Sequence, residues 1–291
     1  MCISNYLGTP DQIREWAKFH SNKSNVLFVC NHSGGKDSQA MFDWMYKNIP
    51  HQQMVVVHAH LPGVEWEGTI EHIYDTTFDI PTHVVQANKT FFKMVDSRGM
   101  WPSPNFRQCT SDLKVLPISK FIRNYSNDHN FNIVFNCLGL RAQESTNRSK
   151  QPMIKINKKL STNNRIVFDF LPIHDYSLKD VFATYDVTLK ELYDRRIAYK
   201  NGFKKEALEG FPFIWTYVAG MSRHSCKICI MSKKSDLCCS AQIDPDNAQR
   251  YITKEKEIDH TFIMPTKNGK RKFLDQIIYE ASSQTQTTLF G

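Results

Sequence analysis

Residues 26–38, Val-Leu-Phe-Val-Cys-Asn-His-Ser-Gly-Gly-Lys-Asp-Ser, constrain the fold more than any other stretch. An apolar, β-type run ends in Ser33-Gly34-Gly35-Lys36-Asp37-Ser38, and a helical pattern (Gln39 to Met45) follows at once. A strand that turns through glycine into a helix N-terminus presents successive N–H groups to an anion, and the helix dipole favours negative charge there. Two glycines let the main chain approach that anion closely. Lys36 adds a cation, and Ser33 and Ser38 add hydroxyl donors. Asp37 can cap the helix or hold Mg2+ through water. The spacing is not that of a Walker A loop, which needs four residues between its first glycine and a Gly-Lys-[Ser/Thr]. The plain alternative is an ordinary glycine-rich turn between strand and helix.

Apolar runs of strand length recur at 25–31, 54–60, 82–87, 133–138 and 166–171, with helical patterns between them at 38–47, 67–78, 90–97 and 112–125. An earlier helix is expected over 10–20, started by Thr9-Pro10-Asp11. This alternation predicts an α/β fold, a Rossmann-like parallel sheet covered on both faces, with ligands at the carboxyl ends of the strands. Beyond about residue 175 the alternation fades. Helices are expected at 177–185, 188–196 and, last, 246–258, followed by a frayed polar tail at 282–288. The division predicted is a nucleotide-binding α/β domain over 1–175 and a helical, cysteine-bearing extension over 176–291, packed on the same domain.

No stretch approaches 18 consecutive apolar residues, and Met1–Tyr6 lacks the basic and apolar regions of a signal peptide. A cytoplasmic protein without a membrane span is therefore expected. The net charge of +8 and pI of about 9.0 suit an anionic partner, a nucleotide or nucleic acid, and suit a merely basic soluble protein equally. The run Lys267–Lys272 reads as a solvated turn or a phosphate contact.

Eight cysteines in such a chain point to a metal, a cluster or redox chemistry rather than to disulfides. Cys2 is terminal, and Cys30 and Cys137 sit in apolar strand runs as core residues. Cys226-Lys227-Ile228-Cys229 is a Cys-x-x-Cys flanked by Arg223, Lys227, Lys233 and Lys234, of which Arg223, Lys227 and Lys233 are expected to lower thiolate pKa values. It can be a redox pair, half a zinc site or a cluster corner.

Ser33–Ser38 resembles the PP-loop of the ATP pyrophosphatase superfamily, whose members split ATP between the α- and β-phosphates or bind a related adenylyl nucleotide. Four further segments resemble the phosphoadenosine phosphosulfate (PAPS) reductase family within it: Arg107-Gln108-Cys109 to Lys114-Val115-Leu116-Pro117; Gly139-Leu140-Arg141-Ala142-Gln143-Glu144-Ser145, with Arg148 one turn on; His60 to Trp66, where the family's Asp-Thr-Gly is replaced; and Leu171-Pro172-Ile173, with Tyr176 where tryptophan is usual. The resemblance implies an adenine nucleotide α-hydrolase-like fold and a nucleotide held by Ser33, Gly34, Gly35, Lys36, Asp37, Ser38, Arg107, Lys114, Gly139, Arg141 and Glu144, with Lys36, Asp37 and Arg141 in catalysis. It also implies a shared metal site. Iron–sulfur members join a Cys-Cys pair to a distal Cys-x-x-Cys, and here Cys109, Cys226 and Cys229 match three of those ligands, with Thr110 in place of the fourth. Three thiolates would leave one iron of a 4Fe–4S cluster open, as in superfamily members that thiolate tRNA. Cys238, Cys239 or His260 could instead complete four ligands, with Zn2+ as the alternative ion. The reductases' C-terminal Glu-Cys-Gly-x-His is absent, and no cysteine follows Cys239. The implied function is adenylylation of a substrate with release of pyrophosphate, then sulfur transfer, with nucleic acid or a nucleotide as acceptor and a sulfur donor protein as partner. PAPS reduction and non-catalytic nucleotide sensing are the alternatives.

Overall fold

The computed structural model describes residues 8–264 and 270–287. Met1–Tyr6 with Cys2, residues 267–269 of the basic run, and Thr288 of the polar tail lie outside the described residues.

Helix α1 (Pro10–Ser21) starts at Thr9, whose hydroxyl accepts from Gln12 N–H while the Gln12 side chain accepts from Thr9 N–H. This reciprocal box satisfies two helix-end donors. Strand β1 (Val26–Asn31) leads through the glycine turn into α2 (Lys36–Asn48); β2 (Met54–Ala59), α3 (Thr69–Thr76), β3 (Thr82–Val85) and α4 (Phe91–Arg98) follow. Beyond them come β4 (Ile133–Leu138), β5 (Ile154–Ile156) and β6 (Ile166–Phe170). The six strands form one sheet in the order β3-β2-β1-β4-β6-β5, parallel except for β5, which runs antiparallel to β6 at the edge.

Alternate side chains of each strand feed opposite layers. Val26, Phe28 and Cys30 of β1 join Met54, Val56, Phe135, Cys137, Phe168 and Phe170 under α1 and α2. Leu27 and Val29 join Val55, Val57, Val134, Val167 and Ile122 under the helix Leu116–Asp128. Burial on both faces explains the continuous apolar runs. Cys30 and Cys137 are buried in the first layer, where loss of solvation raises both thiol pKa values.

The structure departs from the sequence reading in four places. The edge strand β5 is antiparallel and three residues long, too short to leave a periodic signal. The helix expected over 112–125 is broken: a turn at Gln108–Thr110 and a π-helical stretch Ser111–Val115 precede the α-helix Leu116–Asp128. Pro117 has no N–H to close the preceding turn, and Leu116 N–H reaches back to Ser111 O. Helices Lys204–Leu208, Lys234–Ile243 and Leu274–Thr287 were not foreseen, so Pro245–Glu257 is not the last one. Finally, the polar tail is helical to Thr287, because Leu274 and Ile277 dock into a third apolar layer. That layer joins Leu61, Phe91, Phe92 and Trp101 to Ile228, Leu237, Tyr251 and Phe262. Trp101 and Tyr251 stack at 5.5 Å with planes 9° apart. Among the described residues no helix is long and apolar enough to cross a membrane.

Candidate active site

The chain runs from β1 outward to β2 and β3, then crosses to β4 on the other side of β1. Such a reversal opens a crevice at the carboxyl ends of the strands. The glycine turn after β1 and the Gly139-Leu140 turn after β4 border it.

The turn is held by its own polar atoms. Ser33 N–H donates to the Ser38 hydroxyl (3.1 Å), which donates to Gly35 O (2.8 Å), and Gly34 N–H donates to His32 Nδ1 (3.1 Å). Gly34 has φ +75°, a left-handed conformation suited to glycine, and a Cβ there would stand 2.9 Å from Thr69 Cγ2. At the start of α2 the N–H groups of Asp37 and Ser38 have no helical acceptor behind them. Lys36 N–H is already taken: it donates to the Tyr217 hydroxyl (3.0 Å).

A cavity of about 380 Å³ opens over this turn. Ser33, Gly35, Asp37, Ser38, Arg107, Lys114, Gly139 and Glu144 line it, and so do Cys109, Cys226 and Cys229. Arg148 and Arg223 add positive charge, and Tyr217 and His224 form the far wall. Lys36 and Arg141 stand behind the wall. The Lys36 ammonium lies 3.0 Å from Asp37 Oδ2, and Arg141 Nε lies 2.6 Å from Asp37 Oδ1. Burial pushes the Asp37 carboxyl up, but Lys36 and Arg141 outweigh it and hold it below the ordinary range. Arg141 N–H donates to Glu144, which also pairs with Arg148.

The three thiols share the cavity with the glycine turn although the sequence separates Cys109 from the other two by more than a hundred residues. Their environment differs from the expectation in one respect. Burial pushes the Cys226 thiol up to about 12, and the cation acting against this is Lys114. Lys227 is instead buried between Glu67 and Asp244 (2.7 Å from the latter) and faces away from the thiols. Cys238, Cys239 and His260 do not line the cavity; Cys239 Sγ is directed at Ala219 O (3.4 Å). Among the described residues, the one trio of metal-ligating side chains with donor atoms all within 4.8 Å of one another is His58, His60 and Glu65. The thiol trio is therefore wider than the roughly 3.8 Å spacing that bonds of about 2.3 Å to one tetrahedral zinc impose. A polynuclear cluster has the larger footprint. The three thiols share one cavity wall, and as placed they do not close on a single tetrahedral ion.

Tyr217, His224, His32 and the His58–Glu65 pair escaped the sequence reading. The first two come from a segment with no periodic signal. The others were hidden in an apolar strand and in a departure from the family pattern. Burial pushes His224 down to about 3 and His72 down to about 4. His72 Nε2 meets Gln39 Oε1 at 3.0 Å, on the helix that follows the glycine turn. A histidine whose folded pKa is depressed binds fewer protons folded than unfolded between that pKa and its ordinary value near 6.5, so stability falls as pH drops through this window. His72→Gln, which keeps the amide contact, is expected to flatten the loss of stability between pH 6.5 and 4. Urea midpoints at the two pH values measure it, and an unchanged pH slope would count against the burial argument.

An α/β sheet with a glycine-rich strand-to-helix turn at its switch point defines the class of fold. The model of the phosphoadenosine phosphosulfate reductase domain matches residues 28–205, more than half of the chain. The chain belongs to that family, which marks it as an enzyme of the PP-loop superfamily with a sulfonucleotide-related, adenine-nucleotide-binding fold. Among solved structures, the chain is similar to the phosphoadenylyl-sulfate (PAPS) reductase of Candida auris in its phosphate complex, at 14% identity and a TM-score of 0.38, over 65% of this chain and 85% of that one. No curated protein matches it.

Proposed function

We propose that the protein splits ATP between the α- and β-phosphates to adenylylate a substrate and then supports sulfur transfer to it. The observation that carries this reading is the single cavity shared by the phosphate turn, four cationic side chains and three thiols. Ser33, Gly35, Ser38 and the N–H groups at the start of α2 would hold the departing pyrophosphate. Lys36 and Arg141, with Asp37 between them, leave one net positive charge behind the turn. Asp37 also faces the cavity, where a water of Mg2+ could reach it. Arg107 and Lys114 would stabilise charge on the α-phosphate. Cys109, Cys226 and Cys229 would hold a 4Fe–4S cluster, which supplies an open iron for sulfur. Residues 1–175 then act as the nucleotide-binding body, and residues 176–291 as the extension that brings Tyr217, His224 and two thiols to it. The acceptor is nucleic acid or a nucleotide, in keeping with the net charge of +8, and a sulfur donor protein completes the cycle.

PAPS reduction is the second reading, favoured by the family match. It needs a nucleophilic thiol, and Cys238 and Cys239, offered for that role by the sequence, are off the cavity wall.

Product analysis separates the two. AMP and pyrophosphate formed from ATP are expected after anaerobic purification, with iron and sulfide bound. Sulfite released from PAPS without ATP turnover would overturn the first reading. Arg107 is exposed and lines the cavity, so Arg107→Ala is expected to weaken ATP binding by about 1.5–3 kcal/mol, the range of a charge-assisted contact, at unchanged stability. Calorimetry showing equal affinity would remove Arg107 from the site.

A further inference from the structure

His58 and His60 are two residues apart at the end of β2, so both point to the same side of the sheet. Glu65 returns to them from the loop that follows. Its Oε2 lies 3.2 Å from His58 Nε2 and 2.7 Å from His60 Nδ1. The opposite nitrogen of His58, Nδ1, lies 2.9 Å from His32 O. A backbone carbonyl only accepts, so Nδ1 carries the proton, and Nε2 of the neutral ring bears a lone pair. That lone pair faces a carboxylate oxygen. Two acceptors at this distance repel unless a cation stands between them or the ring takes a second proton.

We propose that His58 Nε2, His60 Nδ1 and Glu65 bind a divalent transition-metal ion at the carboxyl end of β2. Two imidazoles and one carboxylate form a donor set suited to zinc, iron(II), cobalt(II) or manganese rather than calcium. The Nδ1–H to carbonyl bond of His58 is the outer-shell contact that fixes a ligating imidazole's tautomer and aim. Bonds of about 2.0–2.2 Å place tetrahedral ligand atoms about 3.4 Å apart. The His58–Glu65 spacing of 3.2 Å is already close to that, and the partly exposed His60 ring, now 2.7 Å from Glu65, must move outward by about 0.7 Å. His58 is buried and fixes the ion on the sheet side. His60 and Glu65 also line a separate cavity of about 310 Å³ whose wall includes Glu67, Glu71 and Lys227. A fourth ligand, water or substrate, has room there. The site does not depend on the chemistry at the phosphate turn, because none of its three ligands lines that cavity.

Cobalt(II) titration of the full chain, stripped with a chelator, tests this. Co2+ is expected to bind with visible bands free of thiolate charge transfer. These bands should persist in Cys226→Ser, and affinity should fall at least ~10-fold in His60→Ala and in Glu65→Gln, since outer-shell losses alone reach that size. A smaller loss in both variants, or a cobalt spectrum of thiolate type alone, would overturn the proposal. Should the variants fail to fold, anomalous scattering at the zinc edge from wild-type crystals soaked in Zn2+ decides. A peak between the three side chains supports the site. A closed His–Glu–His hydrogen-bonded set with no peak shows that the second proton, not a metal, resolves the contact.

Discussion

Asp37→Ala is expected to destabilise the protein by about 3–5 kcal/mol, the cost of stranding buried charge. The carboxylate is the counter-ion of two cations at once. The Lys36 and Arg141 side chains are each only 5% exposed. Lys36 would keep the face of Tyr217, 5.1 Å from its ammonium, and Arg141 would keep Gln143 and the carbonyl of Tyr176. Neither set of contacts neutralises charge. With the carboxylate gone, two cations lie directly behind the glycine turn, so, if the turn holds pyrophosphate as proposed, pyrophosphate added to the variant should recover part of the loss. Guanidinium unfolding of wild type and variant, with and without pyrophosphate, measures both effects. A loss below about 1 kcal/mol would mean that water reaches the pair and that the carboxylate is not its structural counter-ion.

Gly139→Ala is expected to cost about 1–3 kcal/mol or more, the range of overpacking a closed site, and to reduce ATP affinity at least ~10-fold, or about 1.4 kcal/mol. A Cβ at this position would stand 2.8 Å from Asp37 O, 2.9 Å from Asp37 C and 3.0 Å from Ser38 Cα. These are backbone atoms at the start of α2, and they cannot rotate away as a side chain would. The first turn of the helix must shift, and its N–H groups shift with it. Gly99→Ala is the control for stability alone: a Cβ there meets nothing within 4 Å, although its φ of +64° still strains the backbone. A Gly139→Ala protein that binds ATP as wild type does would show that the two turns are not mechanically joined.

The same two turns show how far local pattern reaches. The apolar run of β1, the glycine turn and the helix after it are local features, so this strand–turn–helix unit is legible from a dozen consecutive residues. The parallel sheet follows from alternation of periods. The short edge strand β5 and the helix Lys204–Leu208 are too brief to show a period, and the π-helical break at Ser111–Val115 came from one proline inside a segment whose apolar pattern reads as a single helix. That break carries Lys114 to the cavity.

The sequence by itself determined the class of fold, the position of the glycine turn between strand and helix and the short list of thiols in the chain, because each rests on residue types within one turn or strand of each other. Tertiary structure alone decided what meets that turn. The Tyr217 hydroxyl takes Lys36 N–H across 181 positions, and Arg141 reaches Asp37 across 104. Lys36 is consequently turned away from the cavity, and Glu65 joins two histidines that a strand pattern reads as filler. The physical reason is burial. A charged or hydrogen-bonding group removed from water must find a partner, and which partner lies within reach is set by how the layers stack, not by the neighbours along the chain.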